Sequence, residues 1–140
     1  MPFITFTTAM GAVPPDRRNE LLDSIRAAVA AAESPAMRLE SVGIQWDELA
    51  ADHLVGPVAV AVVKAIAETT TTEQRRRMLV DVSAAIIDVV GEVHRRGVWV
   101  SVEEIVHHDE WYAGGQPITY TVLERQRAGA EDPFAVTVGG

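Results

Sequence analysis

One pattern of strand, helix and strand occurs twice in this chain, offset by about 57 residues, and that duplication narrows the folds open to it. The first unit opens with the β-favouring run Phe3-Ile4-Thr5-Phe6. Its helix follows Pro14-Pro15-Asp16, where proline suits the first turn and the acid complements the helix N-terminus. Leu21, Leu22, Ile25, Val29 and Ala32 then recur on one helical face. The second unit opens with Val58-Ala59-Val60-Ala61-Val62-Val63, and Thr71-Thr72-Glu73-Gln74 reads as a capping box that starts its helix. The matching stripe is Met78, Leu79, Val82, Ile86 and Val89.

Each helix leads into a second strand, predicted over 40–49 in the first unit and 97–105 in the second. A strand–helix–strand unit implies a right-handed crossover and a parallel strand pair. Two of them predict an α+β domain, a four-stranded sheet with both helices on one face. The units are assigned to residues 2–55 and 56–115, and residues 116–140 to a C-terminal arm. In the arm, 117–122 and 134–138 read as short strands, 125–133 reads as an exposed loop, and the whole is expected to reach a neighbouring subunit. The sheet face without helices still carries apolar side chains, so copies of the same chain are the expected cover.

Composition removes several function classes. A net charge of −8 disfavours nucleic acid and anionic membranes as partners. The absence of cysteine excludes disulfides, thiol nucleophiles and thiolate metal sites. The most apolar stretch, 55–67, is too short to span a bilayer and contains Lys64. No signal-peptide pattern opens the chain, and a cytoplasmic location is expected. An apolar share of 48% is enough to build a core at this length.

Pro2 heads the first strand. Removal of Met1, which a small second residue permits, would leave a secondary amine at the strand tip. An α-amino group titrates near roughly 7.7–8.0, and an apolar setting lowers that value toward the range where a general base works best. The alternative is a proline that merely starts a strand.

A strand-initial Pro2 on a duplicated βαβ unit resembles the tautomerase superfamily. The second unit is similar to 4-oxalocrotonate tautomerase in Glu68, Thr72-Glu73-Gln74, the strand 98–105 and Trp111-Tyr112-Ala113-Gly114-Gly115. Val98-Trp99-Val100 followed by Glu104 is similar to the cis-3-chloroacrylic acid dehalogenase branch, and Pro35-Ala36 to malonate semialdehyde decarboxylase. The resemblance covers residues 2–115. It implies Pro2 as catalytic base or acid, a small carbonyl or enol substrate, no cofactor, and a homotrimer of double units.

The chain departs from these relatives where they hold charged site residues. The loop positions that bear carboxylate-binding arginines in the family fall on Ala12, Ala67, Glu68 and Thr70, and a central-strand arginine falls on Gly43 and Trp99. By the same correspondence the dehalogenase's water-activating Glu falls on Trp111, its His on Val29 and its Tyr on Ser101, while the decarboxylase's Asp falls on Arg38. Few arginines at the usual positions imply a substrate less anionic than a dicarboxylate.

Four further residues are candidates for substrate binding. Arg38 offers a fork suited to a carboxylate, or is a solvated charge before a strand. Lys64 interrupts an apolar strand and either faces the site or snorkels at an edge. Trp111 and Tyr112 lie where the family places an aromatic pocket wall, or pack the turn at Gly114-Gly115. Arg75-Arg76-Arg77 reads as a solvated run, and His107-His108-Asp109-Glu110 as a solvated loop, so no metal site is expected. The functional expectation is a keto–enol tautomerase or double-bond isomerase with Pro2 as base. The alternatives are a hydratase, decarboxylase or dehalogenase with Pro2 as acid, and a non-catalytic subunit whose retained Met1 blocks the amine.

Overall fold

The computed structural model describes residues 2–105 and 111–135. Strand β1 (Phe3–Ala9) alternates half-buried and buried positions, so Ile4, Phe6 and Thr8 face inward. The Pro14-Pro15-Asp16 segment forms a short 3-10 turn (Pro15–Arg17) that feeds helix α1 (Arg18–Glu33). Another such turn (Leu39–Ser41) precedes β2 (Gly43–Leu49), so the second strand starts three residues later than predicted. The second unit repeats the sequence as β3 (Ala59–Ile66), α2 (Thr72–Val90) and β4 (Val98–Ile105). The predicted capping box forms: Thr71 Oγ1 accepts the Gln74 N–H at 3.1 Å, and Gln74 Oε1 accepts the Thr71 N–H at 2.8 Å.

The sheet order is β2-β1-β3-β4. β1 and β2 are parallel, as are β3 and β4, and the two units join through the antiparallel β1/β3 pair. The α+β architecture expected from the repeat is therefore the one formed. Both helices pack on one sheet face, where Leu21, Ile25, Val29, Met78, Val82 and Ile86 meet Ile4, Phe6, Ala61 and Val63 in a single core. Burying such side chains stabilises the fold by about 1.5–3 kcal/mol each, before entropy losses. On the opposite face Phe3, Thr5, Val60, Val62 and Lys64 stay half-buried, and Trp99 is 54% exposed. Among the described helices none is long and apolar enough to cross a membrane.

The tail corrects the sequence reading. Of the predicted strand 117–122 only Pro117 lies in a strand, Gln116–Pro117 forming β6 against β5 (Tyr112–Ala113) in a small hairpin. Residues Tyr120–Arg127 form helix α3 instead, taking in both the end of the predicted strand and the start of the predicted loop. Thr119 caps it by accepting the Val122 N–H at 3.3 Å. The physical reason is helical spacing: Val122, Leu123 and Gln126 share one face, and with Ile118 the apolar members bury a second cluster against Ile66, flanked by Trp111 and Phe134. The described tail thus packs on its own chain through α3. Phe134 lies in a turn rather than a strand, and residues 136–138 of that expected strand lie outside the described residues, as do His107–Glu110.

Candidate functional site

The antiparallel β1/β3 pairing decides what surrounds Pro2. Phe3 lies opposite Lys64 on β3 and beside Gly43 on β2. The start of β1 therefore meets the start of β2 and the end of β3. Because each helix runs back along its unit, the last turn of α1 and the first turn of α2 come to this same end of the sheet. Gln74 Nε2 ties them together by donating to the Glu33 carbonyl at 3.2 Å. Pro2 itself is buried, and its carbonyl accepts the Gly43 N–H at 3.0 Å.

Gly43 leaves room for the Phe3 side chain. The Phe3 ring lies across it, and a Cβ built there would meet Phe3 Cδ2 at 2.7 Å. The position that the resemblance aligns with an arginine is thus occupied by an aromatic ring. Its counterpart Trp99 sits on the open sheet face, its indole Nε1 donating to the Arg96 carbonyl at 3.1 Å.

The five candidates from sequence do not all converge. Lys64 is level with Phe3, next to Pro2, and shares the open face with Phe3 and Glu103, the side away from the core. Arg38 is exposed and pairs with Glu40 at 3.6 Å, as a solvated charge would. Trp111 packs into the cluster around Ile66 at the Pro2 end, whereas Tyr112 is 58% exposed on the hairpin. The run Arg75-Arg76-Arg77 divides. Arg76 and Arg77 pair with Glu73 and Asp81 in solvent, but Arg75 folds back to the Thr70 carbonyl at 2.6 Å and to Glu104 at 3.1 Å.

Two residues at this end carry charges the sequence reading did not single out. Glu33, in the last turn of α1, is only 7% exposed. Burial pushes its carboxyl above the ordinary carboxylate range, and Arg127 pulls against that rise. Arg127 arrives from the tail: its Nε stands 3.9 Å from Glu33 Oε2, and its Nη2 donates to the Thr69 carbonyl. Ser34 Oγ in turn donates to the Arg127 carbonyl at 2.6 Å. Glu33 sits within the apolar stripe of α1, and an acid in such a stripe was the signal available. Nothing local marked Arg127, because its partners are far upstream. Among the described residues no group of His, Asp and Glu is arranged to hold a metal ion.

No family model matches this chain, and no curated protein sequence does. Solved structures do match it. A native fused 4-OT is 23% identical over 82% of this chain and 94% of its own, with a TM-score of 0.70. A member of the cis-3-chloroacrylic acid dehalogenase family, N1, is 21% identical, with 82% of each chain covered and a TM-score of 0.63. Malonate semialdehyde decarboxylase is 15% identical over 80% of this chain and 90% of its own, at 0.63, and was solved also as a first-residue proline-to-alanine variant and in inactivated form. Other fused 4-OT structures are symmetric or asymmetric trimers. These neighbours are enzymes of the tautomerase superfamily. The fold of this chain is the fused tautomerase fold.

Proposed function

We propose that this protein is a tautomerase-type isomerase in which the Pro2 amine, freed by removal of Met1, moves a proton on a small carbonyl or enol substrate. The observation that carries the reading is the burial of Pro2 at the head of a central strand, anchored through its carbonyl to Gly43. A secondary amine held in an apolar wall is penalised when charged, so its pKa falls toward neutrality and it serves as a base. In ketonisation the amine takes the enol hydroxyl proton and a proton is returned to the adjacent carbon. Such general acid–base transfer contributes roughly 10²–10⁴-fold. The first turn of α2 opens at the same end, and its positive dipole favours the enolate that forms between the two transfers. Trp111, packed with Ile66 of β3, adds an apolar side chain at this end of the sheet. The neighbours include a fused 4-OT, a member of a dehalogenase family and a decarboxylase, and the first of these supports the isomerase reading.

The half-buried sheet face supports a homotrimer, the state of several fused 4-OT structures. Ketonisation of phenylenolpyruvate, followed by ultraviolet absorbance, tests the proposal. The natural protein should exceed the buffer rate and Pro2→Ala should lose at least 100-fold, the lower end of the range above. Equal rates would refute it.

A further inference from the structure

The duplication allows the outer faces of the two helices to be compared position by position. Leu21, Ile25 and Val29 of α1 correspond to Met78, Val82 and Ile86 of α2, and all six are fully buried, so the outward positions correspond at the same offset. On α1 that outward face is charged: Asp23 and Arg26 form an ion pair at 3.8 Å. On α2 the same two positions are Val80 and Ser83. Val80, Ala84 and Ile87 recur there at helical spacing, a second apolar stripe opposite the one that faces the core. With Ser83 they line an open groove, in which Val80 is 60% exposed. A lone exposed valine is ordinary, but a groove of apolar side chains marks a contact surface. The two ends of the stripe differ in charge. Arg76 and Arg77 stand at its start, and Asp88 and Glu92 at its finish, Glu92 opening the short 3-10 turn (Glu92–Gly97) that follows α2. Each is paired on its own chain: Arg76 with Glu73 and Arg77 with Asp81 at 3.5 Å, Asp88 with Arg17 at 3.0 Å, and Glu92 with Arg95 at 2.5 Å. Surface pairs of this kind contribute little and can exchange partners.

We propose that the outer face of α2 is an interface between two copies of this chain, docked antiparallel about a two-fold axis that passes between Ser83 and Ala84. In such a contact residue i meets j and j meets i, and this stripe is self-complementary in that sense. About the midpoint Val80 meets Ile87 across the axis, and the small Ser83 and Ala84 let the helices approach closely. The basic start of each helix then meets the acidic finish of the other, with Arg76 beside Glu92 on both sides of the axis. A parallel arrangement would set like charges together. The face of α1 is unsuited to the same contact, because Asp23 and Arg26 would lose their water against a partner. The contact is independent of Pro2 and of the open sheet face, since α2 covers the other side of the sheet. It doubles whatever assembly that open face makes.

Light scattering tests the proposal on the natural protein and on Val80→Asp/Ser83→Arg, which copies the ion pair of α1 onto α2. Masses are measured up to about 100 μM chain, above the micromolar range in which the weaker specific interfaces of standard size hold. The natural protein should have twice the mass of the variant, and equal masses overturn the proposal. Arg76→Glu should move the midpoint of the doubling to roughly 3- to 30-fold higher concentration, as expected for two lost surface pairs. Adding Glu92→Arg should bring it back, because the pair re-forms with its signs exchanged; no recovery overturns the antiparallel docking. A second measurement does not rely on disrupting the face. The chain has no cysteine, so Ala84→Cys places a single thiol beside the axis. A short bis-maleimide should link two such chains, while Ala27→Cys, at the same exposed position on α1, should stay unlinked although it reacts equally with a simple maleimide. Equal linking in both, or none through Ala84→Cys, also overturns the proposal.

Discussion

Replacing Gly129 by alanine tests whether α3 is held as described. Gly129 sits at φ +79°, and a Cβ there would meet the Ala36 carbonyl oxygen at 2.6 Å. The left-handed backbone costs an L-residue about 1–2 kcal/mol. The overlap is with backbone and cannot be relieved by a rotamer change, so the segment must move and the neighbouring Ser34–Arg127 hydrogen bond is strained or lost, at about 0.5–1.5 kcal/mol. Together these weaken docking by about 2–3 kcal/mol, or roughly 30- to 150-fold in the opening equilibrium. Native-state hydrogen exchange should show that increase for amides 120–128, with the amides of β1, β3 and α2 unchanged. Gly11→Ala is the control, because Gly11 has φ +84° but nothing within 4 Å of the added Cβ, and it lies after β1 at the opposite end of the sheet. It carries the conformational penalty without the contact, and α3 exchange should not respond. Equal α3 exchange in the natural protein and Gly129→Ala would refute the packing argument.

Three further outcomes are expected. Thr8→Val should destabilise the fold by about 1–2 kcal/mol despite adding apolar surface, because Thr8 is fully buried and its Oγ1 accepts the Trp46 Nε1–H at 2.9 Å; urea unfolding measures it. Thr71→Ala should cost about 1 kcal/mol through loss of the α2 cap, read in the same way. Glu33→Gln should change the pH dependence of stability. Burial raises the folded-state pKa of Glu33, so the folded protein holds that proton more tightly than the unfolded chain does. The stability it contributes is complete below about pH 4.3 and declines as pH rises through the raised folded value. The stability of Glu33→Gln minus that of the natural protein should therefore grow from pH 4 upward, and a flat difference would contradict the assignment.

Much of the fold was legible because local and global signals agreed. The Thr71 capping box, the proline-led entry to α1 and the two helical stripes each marked an element where it forms. The 40–49 strand was drawn too long because nothing in Leu39-Glu40-Ser41 distinguishes a 3-10 turn from a strand entry. The tail was misread for a different reason. Ile118, Thr119, Tyr120, Thr121 and Val122 favour strand by composition, but Thr119 acts as a cap and the 122/123/126 spacing finds Ile66 to cover it. Tertiary burial overrode propensity there. For the proposed site, Pro2 was singled out by its place at the head of β1 together with the duplicated βαβ unit. Arg127 and Glu33 were not, since a contact between the end of α1 and the end of α3 leaves no mark in either segment. Arg38 and Tyr112, singled out from sequence, are solvated instead.

The most direct test of the central claim is the titration of the Pro2 amine itself, followed by its 15N chemical shift in proline-labelled protein. Six of the seven prolines are amides and do not titrate, so the signal is unambiguous. A buried catalytic base should give an amine titrating below about 7.7, with the same midpoint in the pH dependence of kcat/KM. An N-terminus still carrying Met1, or a proline midpoint unrelated to the rate, would contradict the account.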